Sequence, residues 1–94
     1  MAKIENVERR ILQVEGFSVC FLYASGGNVR SDKEKIPQFP FKRAARDLWT
    51  VEDWKAKRFR PRYPGFEVDV KFGYDRIAYG HTKLTTVRDS YRQQ

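Results

Sequence analysis

The chain holds one cysteine, one histidine, one methionine and no long apolar run, and these scarcities close off whole classes of protein. A single thiol, Cys20, excludes an intramolecular disulfide and any multi-cysteine metal site, and it points to a reducing compartment. No base or cation can be placed beside it from sequence, so it reads as a small buried apolar side chain. The one histidine, His81, follows Gly80 at the end of a predicted strand. Nothing in the sequence brings it a nucleophile or an orienting carboxylate. No stretch reaches the roughly 18 apolar residues of a membrane helix, and the opening "MAKIENVERR" lacks the apolar region of a signal peptide. A cytoplasmic protein with no membrane partner is expected. Phosphate-loop, dinucleotide-loop and zinc-protease signatures are missing as well. Only Glu67 and Asp69, about 7 Å apart along one strand face, suggest paired-carboxylate chemistry or a weak cation site. Lys71 follows them on that face, which makes them a solubilising edge. The chain is expected to be no enzyme, with no cofactor and no metal.

What is plentiful is aromatic and basic. Two Trp, five Tyr and seven Phe stand in 94 residues, and each ring buries a large area. That allows one small domain, residues 1–94, to fold despite 33% charged residues and a mean hydropathy of −0.73. The formal charge is +7 and it is uneven. Residues 42–64 hold eight basic residues against Asp47, Glu52 and Asp53. The candidate binding residues are Lys42, Arg43, Arg46, Lys55, Arg58, Arg60 and Arg62, with Tyr63 as a stacking ring in an extended arm. Clustered positive charge attracts polyanions without specific design. RNP-type, KH and zinc-finger signatures are missing. On an α-helical wheel Lys57 falls beside Asp53, away from Lys55 and Arg58, so the charges spread and their stems are free to cover Trp54. A nucleic acid, an acidic protein and a solvated surface all remain open for this segment.

Two segments repeat a pattern. "GFSVCFLY" (16–23) and "GFEVDVKF" (65–72) alternate apolar and free positions with the period of a strand, putting Phe17, Val19, Phe21 and Tyr23, and Phe66, Val68, Val70 and Phe72, on one face each. Duplication and ordinary amphipathic patterning explain the likeness equally well. Each strand meets a turn signal, "SGGN" (25–28) and "GYD" (73–75), which predicts β-hairpins over 17–31 and 66–80. Ser18, Cys20 and Leu22 can be partly covered, so the first strand is expected to lie centrally or under the N-terminal segment.

Between the hairpins, "PQFP" and "PRYP" bracket a helical stretch and should be extended connectors. The spacing predicts a helix over 41–48. A second helix over 49–59 is expected to be capped by Thr50, with Glu52 and Asp53 in its first turn, Trp49 and Trp54 as a staple, and a stop by Arg60. Ile4, Val7, Ile11 and Val14, with Gly16 after them, favour an N-terminal helix over a strand at Arg10–Val14. The segment 82–94 is expected to be a strand through Leu84, then a short helix or frayed tail.

Taken together, "VEGFSVCF", "TVEDW", "YPGFEVDV" and "LTTVRDSY" resemble the small bacterial proteins encoded by mobile integron gene cassettes, from about residue 10 to 91. The resemblance implies a bacterial, cytoplasmic, compact and often oligomeric α+β domain. It implies no catalytic residue, because that group shares no activity.

The expected fold is therefore α+β: a mostly antiparallel sheet from two hairpins, with two or three short helices packed on one face. Its core should hold Phe17, Val19, Phe21, Tyr23, Leu48, Trp54, Phe66, Val68, Val70 and Ile77. The favoured function is a non-enzymatic binding or adaptor module that presents the basic region to a polyanionic or acidic macromolecule, either nucleic acid or acidic protein. The alternative is a small-ligand binding protein with a pocket of Phe39, Trp49, Trp54 and Tyr63. An unpaired hairpin edge or an exposed aromatic patch would favour a homo-oligomer.

Overall fold

The computed structural model describes residues 2–30 and 33–92. Along the chain run α1 (Ile4–Glu15), β1 (Ser18–Tyr23), α2 (Val51–Trp54) continued by a wide π turn (Lys55–Phe59), β2 (Phe66–Lys71), β3 (Ile77–Ala78) and α3 (Leu84–Arg92). The strands form one antiparallel sheet in the order β1-β2-β3, so the fold is α+β.

α1 forms because Ile4, Val7 and Ile11 recur at helical spacing and are all buried. Gly16 ends it at φ 83°, its N–H donating to the Leu12 carbonyl. That left-handed geometry suits glycine and strains residues with a Cβ. The two Gly-Phe-x-Val segments lie side by side, with Val19 opposite Val70 and Phe21 opposite Val68. Phe17, Val19, Phe21, Val68 and Val70 are buried at the predicted period of two.

Of the two positions expected for the first strand, central or under the N-terminal segment, the second holds. β1 is an edge strand and β2 is central. The outer side of β1 is instead covered by α1 and the following turn: Phe21 N–H donates to Glu8 Oε2 (2.9 Å) and Tyr23 N–H to the Gly27 carbonyl (2.7 Å). The return strand of the first hairpin shrinks to a Leu22–Asn28 bridge, and Ser31 lies outside the described residues. The second hairpin forms, but β3 is two residues long. At the far end of the β1–β2 ladder the Tyr91 hydroxyl is inserted, accepting from Ser18 N–H (2.8 Å) and donating to the Lys71 carbonyl (2.5 Å).

Residues 41–48 form no helix. Their backbone groups are engaged from elsewhere. Ala45 N–H donates to Glu15 Oε1 (2.8 Å), the Ala45 carbonyl accepts from Arg88 Nη1 (2.8 Å), and the Arg43 carbonyl accepts from Arg58 Nη1 (2.6 Å). With tertiary partners in place, the segment needs no helical ladder. Leu48, 75% exposed, therefore leaves the expected core. So do Tyr23, at the end of β1, and Ile77, opposite Lys71 on the outer sheet face; both are exposed. The "PRYP" bracket is a run of turns and no extended arm: the Arg62 and Tyr63 N–H groups both donate to the Phe59 carbonyl (3.0 Å each). The expected C-terminal strand reduces to a Thr50–Lys83 bridge, with helix from Leu84 onward; Gln93 and Gln94 lie outside the described residues.

At the centre of the core, among buried Ile, Val, Leu and Ala side chains, lies a cluster of rings. Phe17 meets Trp54 edge-on with centroids 5.2 Å apart, and Phe21 meets Phe59 and Tyr63 in the same manner at 5.0 and 5.2 Å. The π turn serves this packing. Trp54 and Phe59 are five residues apart, about 1.4 turns of a regular α-helix, which would point them in different directions. Closing the turn between Arg60 N–H and the Lys55 carbonyl (2.8 Å) adds a residue to it. Both rings then enter the core fully buried, 6.1 Å apart.

Candidate polyanion-binding face

The basic face begins with the cap of α2. Asp53 N–H donates to Thr50 Oγ1 and Thr50 N–H donates to Asp53 Oδ2, both at 3.1 Å. This reciprocal pair fixes where the helix starts, and hence where the side chains of the next turn emerge. Trp49, just before the cap, is half-buried, as is Phe41 at the start of the loop. Cations lie across both rings. Lys57 Nζ is 4.6 Å and Arg58 Cζ 5.8 Å from the Trp49 centroid; Arg58 Cζ is 4.3 Å and Arg62 Cζ 5.7 Å from the Phe41 centroid. Arg58 is shared by the two rings, so the three cations form one continuous row. The α-helical wheel separated Lys57 from Arg58, but both reach the same indole.

Arg58 is held from beneath. Its Nη1 is 2.6 Å from Glu15 Oε2, a carboxylate whose side chain is wholly enclosed. Glu15 also takes Arg88 Nη2 on Oε1 (3.2 Å), and Arg88 Nη1 continues to Asp47 Oδ1 (2.6 Å). Arg88 Nε closes the set by donating to the Glu15 main-chain carbonyl (2.7 Å), a favourable place for a cation at a helix C-terminus. A buried charge left unpaired would be costly, and here two guanidinium groups and one amide meet it.

The predicted binding residues divide. Lys42, Arg43, Arg46 and Arg62 are exposed on the loop and the following turn, and Lys55 is half-buried where the π turn begins. Arg60 leaves the group, reaching Glu52 Oε1 at 2.5 Å and Glu67 Oε2 at 3.3 Å. Its hydrogen bond holds the Glu52 carboxyl below the usual range. Tyr63 is no surface ring at all. It is 1% exposed, and burial pushes its phenol well up. The chain turns inward after Pro61, taking Tyr63 into the core beside Phe59 (5.1 Å).

The residues of the alternative pocket divide too: Phe39, Trp54 and Tyr63 are core rings, with Phe39 and Trp54 6.2 Å apart, whereas Trp49 sits under Lys57. A cavity of about 400 Å³ lies elsewhere, lined by Ala2, Lys3, Asn6, Glu34 and Lys35. Cys20, expected to be buried, is half-buried; desolvation pushes its thiol up and Glu8 adds to the shift. His81 is exposed. Among the described residues, no group of three or more His, Cys, Asp or Glu could hold a metal ion, and no helix is long and apolar enough to cross a membrane.

Sequence reasoning missed Glu15, Arg88, and the role of Phe41 and Trp49 as cation platforms. Rings interleaved with basic residues, as in Phe41-Lys42-Arg43, were the available signal for the platforms. The Glu15 set had none, because its members lie 43 and 73 residues apart. No family model, no curated protein and no solved structure matches this chain.

Proposed function

We propose that the protein is a non-enzymatic binding module whose basic face, formed by Lys42, Arg43, Arg46, Lys57 and Arg62 around an Arg58 whose charge is paired with Glu15, engages an acidic macromolecule. One observation carries this reading: Lys57 and Arg62 are held by aromatic rings, where a carboxylate could have held them. A ring fixes a cation through its negative face without cancelling its charge, and the carboxylate that acts on Lys57, Asp53, forms no ion pair with it among the described residues. Arg60 shows the contrast, since Glu52 and Glu67 compensate its charge. A cytoplasmic location belongs to the same proposal, resting on the single cysteine.

The test is retention on an immobilised polyanion such as heparin. Arg62→Ala is compared with Arg76→Ala, which removes the same charge from the exposed turn after β2. Arg62→Ala is expected to elute at distinctly lower salt than Arg76→Ala. Equal shifts would mean that net charge alone drives retention, and the reading would fail.

A further inference from the structure

Resting on that reading, we infer that the ligand of the basic face is the phosphate backbone of a nucleic acid, contacted without stacking of its bases. Phe41 and Trp49 are half-buried, packed against the core on their inner sides. Arg58 and Arg62 approach Phe41, and Lys57 and Arg58 approach Trp49. A surface that binds bases by stacking needs ring faces open to solvent. Here core packing and cation cover occupy those rings.

The candidate stacking ring outside this pair, Tyr63, is in the core. What this face presents to solvent is charge with directional donors; the exposed rings of Tyr74 and Tyr79 belong to the second hairpin. Arg58 turns its Nη1 inward to Glu15 and the Arg43 carbonyl, so it is the exposed Arg62 that can offer an N–H fork to phosphate oxygens, with Lys57 adding a point charge at the other end of the row.

The same features argue against an acidic protein. Protein interfaces centre on a desolvated apolar or aromatic anchor, whereas nucleic-acid interfaces are polar and strongly positive. Leu48 is the large exposed apolar side chain on this loop; the rings beside it carry cations. Phosphates of DNA and RNA share this chemistry, so the experiment has an arm for each.

The experiment is fluorescence anisotropy of the full chain with labelled single-stranded DNA, single-stranded RNA, duplex DNA and poly-glutamate, over a range of salt. All three nucleic acids are expected to bind, with homopolymers of different base agreeing within about threefold, as contact to phosphate alone requires. On duplex DNA the logarithm of affinity should fall with the logarithm of salt, and Arg62→Ala and Lys57→Ala should each reduce that slope by about 0.9. Leu48→Ser should leave binding unchanged.

A tenfold or greater preference among homopolymers would show that bases are read, and would overturn the inference while leaving the face in place. Binding of poly-glutamate but not of nucleic acid, or loss of binding in Leu48→Ser, would assign the face to a protein partner. That too would overturn the inference and spare the broader reading. Failure of every polyanion to bind would remove both.

Discussion

Tyr63 and Glu8 show how burial of one polar atom changes what a residue can do. Among the described residues, no partner reaches the enclosed Tyr63 hydroxyl. A buried polar group without a hydrogen bond destabilises the fold, and removing it can be neutral or favourable. Tyr63→Phe should therefore leave the urea midpoint unchanged or raise it; a fall of more than about 1 kcal/mol in stability would mean the hydroxyl is bonded after all. Glu8 is shifted in the other sense from a typical ion-paired acid. Desolvation raises its carboxyl, Glu5 adds to this, and the bond from Phe21 N–H opposes it. A carboxyl raised on folding contributes stability below its unfolded value near pH 4, and that contribution is lost as pH rises through the folded value. Glu8→Gln retains an acceptor for Phe21 and removes the ionisation. Urea titrations should show the variant more stable than the parent at neutral pH and equal to it below about pH 4; a variant weaker at neutral pH would reverse this sign. Burial of this kind was hidden at the level of single letters: Tyr63 sits between two arginine-rich turns and looks like an exposed ring.

The elements held by local chemistry were the ones legible in the chain. α1 followed from its periodic apolar residues and Gly16, and α2 from Thr50 with two acids after it. The inward faces of β1 and β2 followed from alternation. Thr50→Ala should cost about 1 kcal/mol, the usual value of an N-cap, measured by chemical denaturation. Because Thr50 holds the Asp53 carboxyl below its usual range, the contribution of the cap is present above the ordinary carboxylate value and lost as pH falls through the depressed one. The backbone N–H of residue 50 survives in Thr50→Ala, so Asp53→Asn is the variant that should lose this pH dependence; a dependence left intact in it would separate the cap from Asp53. The π turn was not legible, since its extra residue is set by where Trp54 and Phe59 meet the sheet. The segment 41–48 was misread for a related reason. Its local spacing suits a helix, but Glu15, Arg58 and Arg88 take its backbone groups.

Across the whole molecule, Glu15 ties together the end of α1, the loop at Ala45, the π turn through Arg58 and α3 through Arg88. It is a long-range set that no periodicity announces. Removing one partner of a buried pair is far more damaging than the net worth of the pair, so Glu15→Ala should cost about 3 to 5 kcal/mol; a cost below about 1 kcal/mol would show that water already reaches the site. The same set seats the basic face, because Arg58 is clamped to Glu15 while lying across Phe41. The charge concentration in residues 42–64 was visible in the sequence, but the division of that charge was not. Arg60 is neutralised by two glutamates, Arg58 is paired with Glu15 and Tyr63 is buried, while Lys57 and Arg62 stand over the rings with no carboxylate in salt-bridge contact among the described residues.

The most direct test of this account is an NMR titration of the isotopically labelled protein with a mixed-sequence single-stranded oligonucleotide at low salt. The amides of residues 41–43, 57, 58 and 62 and the Trp49 indole N–H should shift together and return as salt is added, while residues 67–71 and 77–79 on the sheet stay in place. Shifts centred on the outer sheet face, with Trp49 and Arg62 unmoved, would contradict it.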